Sequence, residues 1–140
     1  GESLPPAPLL TASAAGGPIR LDHLAIGPAQ VGEALRLVLY WRAETPVTGR
    51  YTVFTQLFDP SGALVAQQDN WPVQGLAPTD TWQPGALVRD PYTLAIPADA
   101  APGRYRLLVG LYDATGRRAL TLADGNTADH LAVPVEVTGP

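Results

Sequence analysis

The stretch WQPGALVRDPYTLAIPADAAPGRYRLLVGLYD, residues 82–113, restricts the fold more than any other part of the chain. Pro97 and the Pro102-Gly103 pair stop one apolar run before Tyr105 opens the next. In the second run Tyr105, Leu107, Val109 and Leu111 alternate with Arg104, Arg106, Leu108 and Gly110. A period of two sends one set to a buried face and the other to the opposite face. Two such strands joined by a corner make half of an all-β sandwich. They fix an architecture and carry no catalytic motif.

A chain of 140 residues is close to the commonest domain size and is long enough to bury a core. Its 14 glycines and 15 prolines suit many turns and disfavour long helices. The net charge is −4, and the nine cations are all arginine with no basic run. Nucleic acid binding needs a clustered cationic footprint, so no nucleic acid partner is expected. The absence of cysteine removes disulfides, thiolate metal sites and cysteine nucleophiles, and it leaves the compartment open. No apolar run reaches the ~18–20 residues of a spanning helix, so no membrane insertion by these residues is expected.

Residues 1–17, GESLPPAPLLTASAAGG, read as a Pro/Ala-rich linker or arm, with Leu4, Leu9 and Leu10 as its anchors. Pro5, Pro6 and Pro8 forbid a continuous ladder, so any pairing of the arm falls in Leu9–Ala15, on its own domain or in exchange with a neighbour. Residues 18–140 read as one domain. Strands are expected at about Ile19–Ile26, Ala34–Arg42, Tyr51–Phe58, Leu64–Gln68, Leu87–Ile96, Arg104–Tyr112, Arg118–Leu122 and Leu131–Val137. In the third, Val53 and Leu57 face one side and Phe54 and Phe58 the other. Asp59-Pro60-Ser61-Gly62 and Asp113-Ala114-Thr115-Gly116 are turns. Pro134 places the last strand at an edge or a bulge, and DAAPGRY fits a tyrosine corner. Seven or eight strands with regular turns predict a two-sheet antiparallel β-sandwich, immunoglobulin/fibronectin-like, with a jelly roll as the alternative.

Four segments together resemble one bacterial module: ALRLVLYWRA (34–43), YTVFTQLFDPSGALVAQQD (51–69), residues 78–113, and VPVEV (133–137). The module is the extracytoplasmic β-sandwich appended to polytopic membrane glycosyltransferase-like proteins of Chloroflexus-type bacteria. The resemblance spans roughly residues 18–137. It implies a cell-surface or secreted location, with the transfer chemistry in a membrane part and no catalytic residue in the sandwich. The chain departs from the pattern in its longer ADGNTADH loop (123–130) and in having no transmembrane region among these residues.

Catalytic constellations are sparse. Ser3, Ser13 and Ser61 lie in the arm or a turn, no G-x-S-x-G is present, and His23 and His130 are far apart. Asp69, Asp80 and Asp90 flank the long loop Asp69–Pro84 and could in principle form a carboxylate pair of the glycosidase kind, or simply organise turns. Asp124, Asn126 and Asp129 bunch as hard oxygen donors for calcium, without EF-hand spacing; Asp-Gly is also a common turn pair. No other cofactor is expected.

Aromatic residues give the best binding candidates. Trp71 and Trp82 lie in or beside the long loop, with Asn70, Gln74, Asp80 and Gln83 near them. Flat rings pack on sugar C–H faces while amides and carboxylates bond the hydroxyls. The competing roles are that Trp82 plugs the end of the sandwich and Trp71 staples the loop. Trp41 alternates with core leucines and belongs to the core. The chain thus reads as a non-catalytic accessory module for glycan or cell-envelope polymer. The alternative is a structural subunit that meets its own kind through the arm or an edge strand; an enzyme is the third and least supported reading.

Overall fold

The computed structural model describes residues 7–140. Among the described residues there are eleven strands: β1 (Leu10–Ala12), β2 (Ile19–Ile26), β3 (Ala34–Arg42), β4 (Thr52–Phe58), β5 (Leu64–Asn70), β6 (Val88–Ala95), β7 (Gly103–Asp113), β8 (Gly116–Arg117), β9 (Leu120–Leu122), β10 (Thr127–Ala128) and β11 (Leu131–Val137). They form two packed antiparallel sheets. One runs β10-β9-β1-β2-β3-β6; the other runs β11-β7-β4-β5, with β8 paired to β7. No helix among the described residues is long and apolar enough to cross a membrane.

The sandwich class is as the period-two runs require, and the strand count is higher than seven or eight. The additional strands are short pieces of two or three residues, too brief to show a period. The inner faces meet where the alternation places them. Leu37, Leu39, Trp41, Val53, Leu57, Leu94, Tyr105, Leu107, Val109 and Leu111, the in-phase residues of their strands, are all buried. The Tyr105 hydroxyl donates to the Ala101 carbonyl at 2.6 Å and so closes the expected tyrosine corner. Pro134 lies in β11, an edge strand, where a missing N–H is tolerated.

Two features go beyond the period-two reading. The first concerns the arm. Leu10–Ala12 is a strand inside the larger sheet, with Leu10 opposite both Leu21 of β2 and Leu122 of β9. The sandwich therefore takes in residues N-terminal to 18, and the pairing is within the chain. β1 docks between two strands rather than on a free edge, and it ties the β9–β10 hairpin to the sheet. Leu4, Pro5 and Pro6 lie outside the described residues. The second concerns Phe54, which faces away from the core yet is only 1% exposed. Its ring lies over Gly110, where a Cβ would come within 2.5 Å, and the Arg117 guanidinium covers it at 4.3 Å.

Leu107 is fully buried between the sheets. Leu107→Ala is expected to destabilise the domain by about 2–5 kcal/mol through lost transfer energy and an unfilled cavity, measured by denaturant unfolding. Removal of residues 1–15 deletes β1 and leaves β2 and β9 unpaired along their shared side. The truncated chain is expected to melt well below the intact one; an unchanged melting temperature would show that β1 contributes nothing.

Candidate functional site

The long loop between β5 and β6 is built on a buried carboxylate. Asp90 lies on the inward face of β6, in phase with Tyr92 and Leu94, and is 0% exposed. One of its oxygens accepts from the Trp41 indole Nε1–H at 3.0 Å, and the other from the Val73 backbone N–H at 2.6 Å. Burial is the main influence on its acidity and raises its pKa; the bonds from Val73, Tyr92 and Trp41 act the other way. Burial also keeps the neighbouring Tyr92 phenol neutral, with the Asp90 charge adding to the effect.

The bond to Val73 has a conformational purpose. Val73, Gln74 and Gly75 have φ of 57°, 54° and 85°, three successive residues in the left-handed region. A β-branched side chain there is strained by about 1–3 kcal/mol and persists only where its surroundings over-determine it. Here the Asp90 bond is joined by Gly75 N–H to the Trp71 carbonyl (2.9 Å) and by Ala77 N–H to the Pro72 carbonyl (3.0 Å). The loop is a fixed coil rather than a slack connection.

A ladder of side-chain amides holds the loop's entry. Thr93 N–H donates to Gln68 Oε1 at 3.0 Å, Gln68 Nε2 donates to Asn70 Oδ1 at 2.8 Å, and Asn70 Nδ2 donates to the Trp71 carbonyl (2.8 Å) and the Tyr92 hydroxyl (3.2 Å). These bonds join β5 of one sheet to β6 of the other. The Asn70 amide is thereby engaged at both ends by the scaffold.

Trp71 stands out from this base and is 41% exposed. The Arg50 guanidinium lies 5.0 Å from its ring centroid, and Arg50 Nε sits 2.8 Å from both oxygens of Asp80. Asp80 belongs to a single 3-10 turn, Thr79–Thr81. Buried Thr79 fixes that turn against Arg50's two neighbours: its hydroxyl accepts from Tyr51 N–H at 3.1 Å and donates to the Gly49 carbonyl. Asp80, Arg50 and Trp71 thus form a chain from scaffold to exposed ring. Leu76 is 84% exposed in the same loop, and the Gln74 and Gln83 side chains face solvent.

Trp82 has the other role. It is 7% exposed and its Nε1–H donates to the Ala77 carbonyl at 2.9 Å, so it plugs the end of the core under the loop. The three carboxylates around the loop have separate partners: Asp69 accepts from the Tyr112 hydroxyl at 3.0 Å, Asp80 holds Arg50, and Asp90 holds Trp41 and Val73. In the 123–130 loop Asp124 accepts from the backbone and side chain of Asn126, closing a turn. Asp129 faces His130 at 2.7 Å and Arg117 at 3.5 Å, and the His130 bond chiefly lowers its pKa. Among the described residues no three His, Cys, Asp or Glu side chains converge as a metal cluster.

Arg50 and the anchoring role of Asp90 escape a reading by motif. The signal for Asp90 is its phase: an acid in step with Tyr92 and Leu94 falls on the core face, where a charge must find donors. Arg50 sits before β4 with no local signal.

No family model matches the chain, and no curated protein matches it. Among solved structures it is similar to the C-terminal domain of wzt, with a TM-score of 0.58 and 11% identity, over 97% of this chain and 82% of that one. It is also similar to part of a glycosyl hydrolase family 2 member from Bacteroides cellulosilyticus, with a TM-score of 0.50 and 14% identity. That likeness covers 93% of this chain and 15% of the hydrolase. At such identities the likeness establishes the β-sandwich fold alone.

Replacing Asp90 by Ala leaves the Trp41 and Val73 N–H groups without an acceptor in the interior. The expected loss is about 2–5 kcal/mol, read by denaturant unfolding. The carboxyl also gives a pH signature. Its raised folded-state pKa means the folded protein keeps a proton that the unfolded chain has already released. Its contribution is therefore most favourable at low pH. It declines as pH rises above the ordinary value of 3.8 and levels off once the buried group has ionised. The stability difference between the protein and its Asp90→Asn variant should follow that course.

Proposed function

We propose that this domain is a non-catalytic accessory module, carried outside the cytoplasm, that binds glycan or cell-envelope polymer through its Trp71 loop. The observation that carries the reading is the exposed Trp71 ring, stacked on Arg50 and mounted on a loop fixed by a buried carboxylate. A ring held in place before its ligand arrives loses little freedom on binding, which is what a shallow sugar platform needs. Asp80 and Gln74 supply polar groups in the same loop, while Asn70 and Trp82 support it from below. A sandwich of this fold within a glycosyl hydrolase chain supports an accessory role. The segment resemblance adds the proposal that the parent is a membrane glycosyltransferase-like protein.

A glycan array with the isolated domain tests the reading. Trp71→Ala is expected to abolish retention on the array. It should leave the melting temperature nearly unchanged, since an exposed cation–π contact contributes only ~0.5–1 kcal/mol. A variant that melts early would identify the ring as a structural staple instead. Retention undiminished in a stable variant would remove Trp71 from the binding surface.

A further inference from the structure

The outer face of the six-stranded sheet carries an aromatic and cationic surface separate from Trp71. β2, β3 and β6 lie side by side, and their register sets His23, Tyr40 and Arg89 in one row. Ala25, Val38 and Pro91 form the next row, and Arg36 stands opposite Thr93 beyond it. On β3 and β6 these positions alternate with the buried Leu37, Leu39, Trp41, Asp90 and Tyr92, so they face away from the core. A bulge at Asp22 produces the row: the extra residue brings His23 opposite Tyr40. The two rings lie 5.6 Å apart, inclined by 35°.

The charges on this face do not balance. Asp22 is shared between Arg20 and Arg42, each at 3.1 Å, and Arg20 also reaches Glu44 at 3.8 Å. Arg36 and Arg89 are exposed and have no ion-pair partner among the described residues. Four arginines thus stand with two carboxylates on a chain whose net charge is −4.

We infer that this face binds an acidic polysaccharide, a polymer of sugar rings that bear carboxylates. The inference deepens the glycan-binding reading above and rests on it. The tilted His23–Tyr40 pair and the low floor of Ala25, Val38 and Pro91 receive the C–H faces of the rings. The planar forks of Arg89 and Arg36 meet carboxylates. Tyr40 and Arg36 are four residues apart on β3, about 13 Å at the strand rise, so the surface suits an oligomer rather than a single sugar. β6 is the outermost strand of its sheet; its outward Arg89 directly precedes Asp90, the anchor of the Trp71 loop. A polymer crossing β6 passes from one surface toward the other.

The test is affinity electrophoresis of the domain in gels containing polygalacturonate, fully methyl-esterified polygalacturonate or a single-stranded oligonucleotide. The acid form should retain the protein about tenfold more strongly than the ester, the contribution of roughly one charge-assisted hydrogen bond. The double variant Arg36→Gln, Arg89→Gln alters two exposed side chains and should lose that preference. Tyr40→Ala should weaken retention by both forms, with the Tyr40→Phe variant keeping it. Equal retention by acid and ester, a preference that survives loss of both arginines, or tighter binding to the oligonucleotide would overturn the inference. If neutral glycans are retained through Trp71 and no acid preference exists, this inference fails and the proposed function stands. If no glycan of either kind is retained, both fail.

Discussion

A carboxylate on the core face of β6 organises the end of this sandwich. A buried charge is tolerated only where donors replace the water it has lost. Asp90 takes its donors from two distant places, the Trp41 indole on β3 and the Val73 amide in the β5–β6 loop. The first bond sets the orientation of the largest core side chain. The second holds three residues in left-handed geometry that an L-amino acid with a branched side chain would otherwise leave. Trp71, two residues before Val73, inherits its position from that coil. The exposed ring is therefore controlled from inside the core, and core and candidate site share one hydrogen-bond network.

The two sides of the sandwich are closed differently. On the β5–β6 side, Gln68 and Asn70 span the sheets with an amide ladder and give Trp71 a rigid base. On the other side, β9, β10 and β11 leave an open cleft of about 440 Å³, lined by Leu9, Leu122, Ala128 and Leu131 among others. β1 sits at the boundary of the two regimes, because β9 reaches the main sheet only through it. A loop meant to present a ring with little motion belongs on the ladder side, which is where Trp71 is found.

The strands β3, β6 and β7 were legible because each has a face in the core, so apolar residues recur at every second position. Leu107, Val109 and Leu111 on β7 are the clearest case, and the Tyr105 corner followed from its Pro-Gly approach. β1 was not legible as a sheet member: Leu10-Thr11-Ala12 is one alternation long and lies among prolines and alanines. The face of Phe54 was legible but its burial was not, because the cover comes from a neighbouring strand's Gly110 and from Arg117, which no local pattern encodes. The Trp71 loop was found by its aromatic content. Its supports, Arg50 and Thr79, come from segments about thirty residues apart and meet only after folding. The bulge at Asp22 likewise hid the His23–Tyr40 pair, since an inserted residue breaks the count on which face assignment depends.

Three of the nine arginines use the shape of the guanidinium in the fold. Arg50 lies on Trp71 while its edge holds Asp80. Arg117 lies on Phe54 while its edge reaches Gln56 and Asp129. Arg118 lies near Tyr51 while its edge bonds the Ser13 carbonyl just beyond β1. In each case the flat face packs on a ring and the donors along the rim bond elsewhere, two contacts that a lysine ammonium cannot make together. Arg117 in this way covers Phe54 on the outer face of the smaller sheet. Arg36 and Arg89 take part in none of these contacts. Both are exposed, without an ion-pair partner among the described residues, on the sheet surface that carries the His23–Tyr40 pair. What Arg50 and Arg117 do within the protein, joining a ring to a carboxylate, Arg36 and Arg89 are placed to do with rings and carboxylates brought by a ligand.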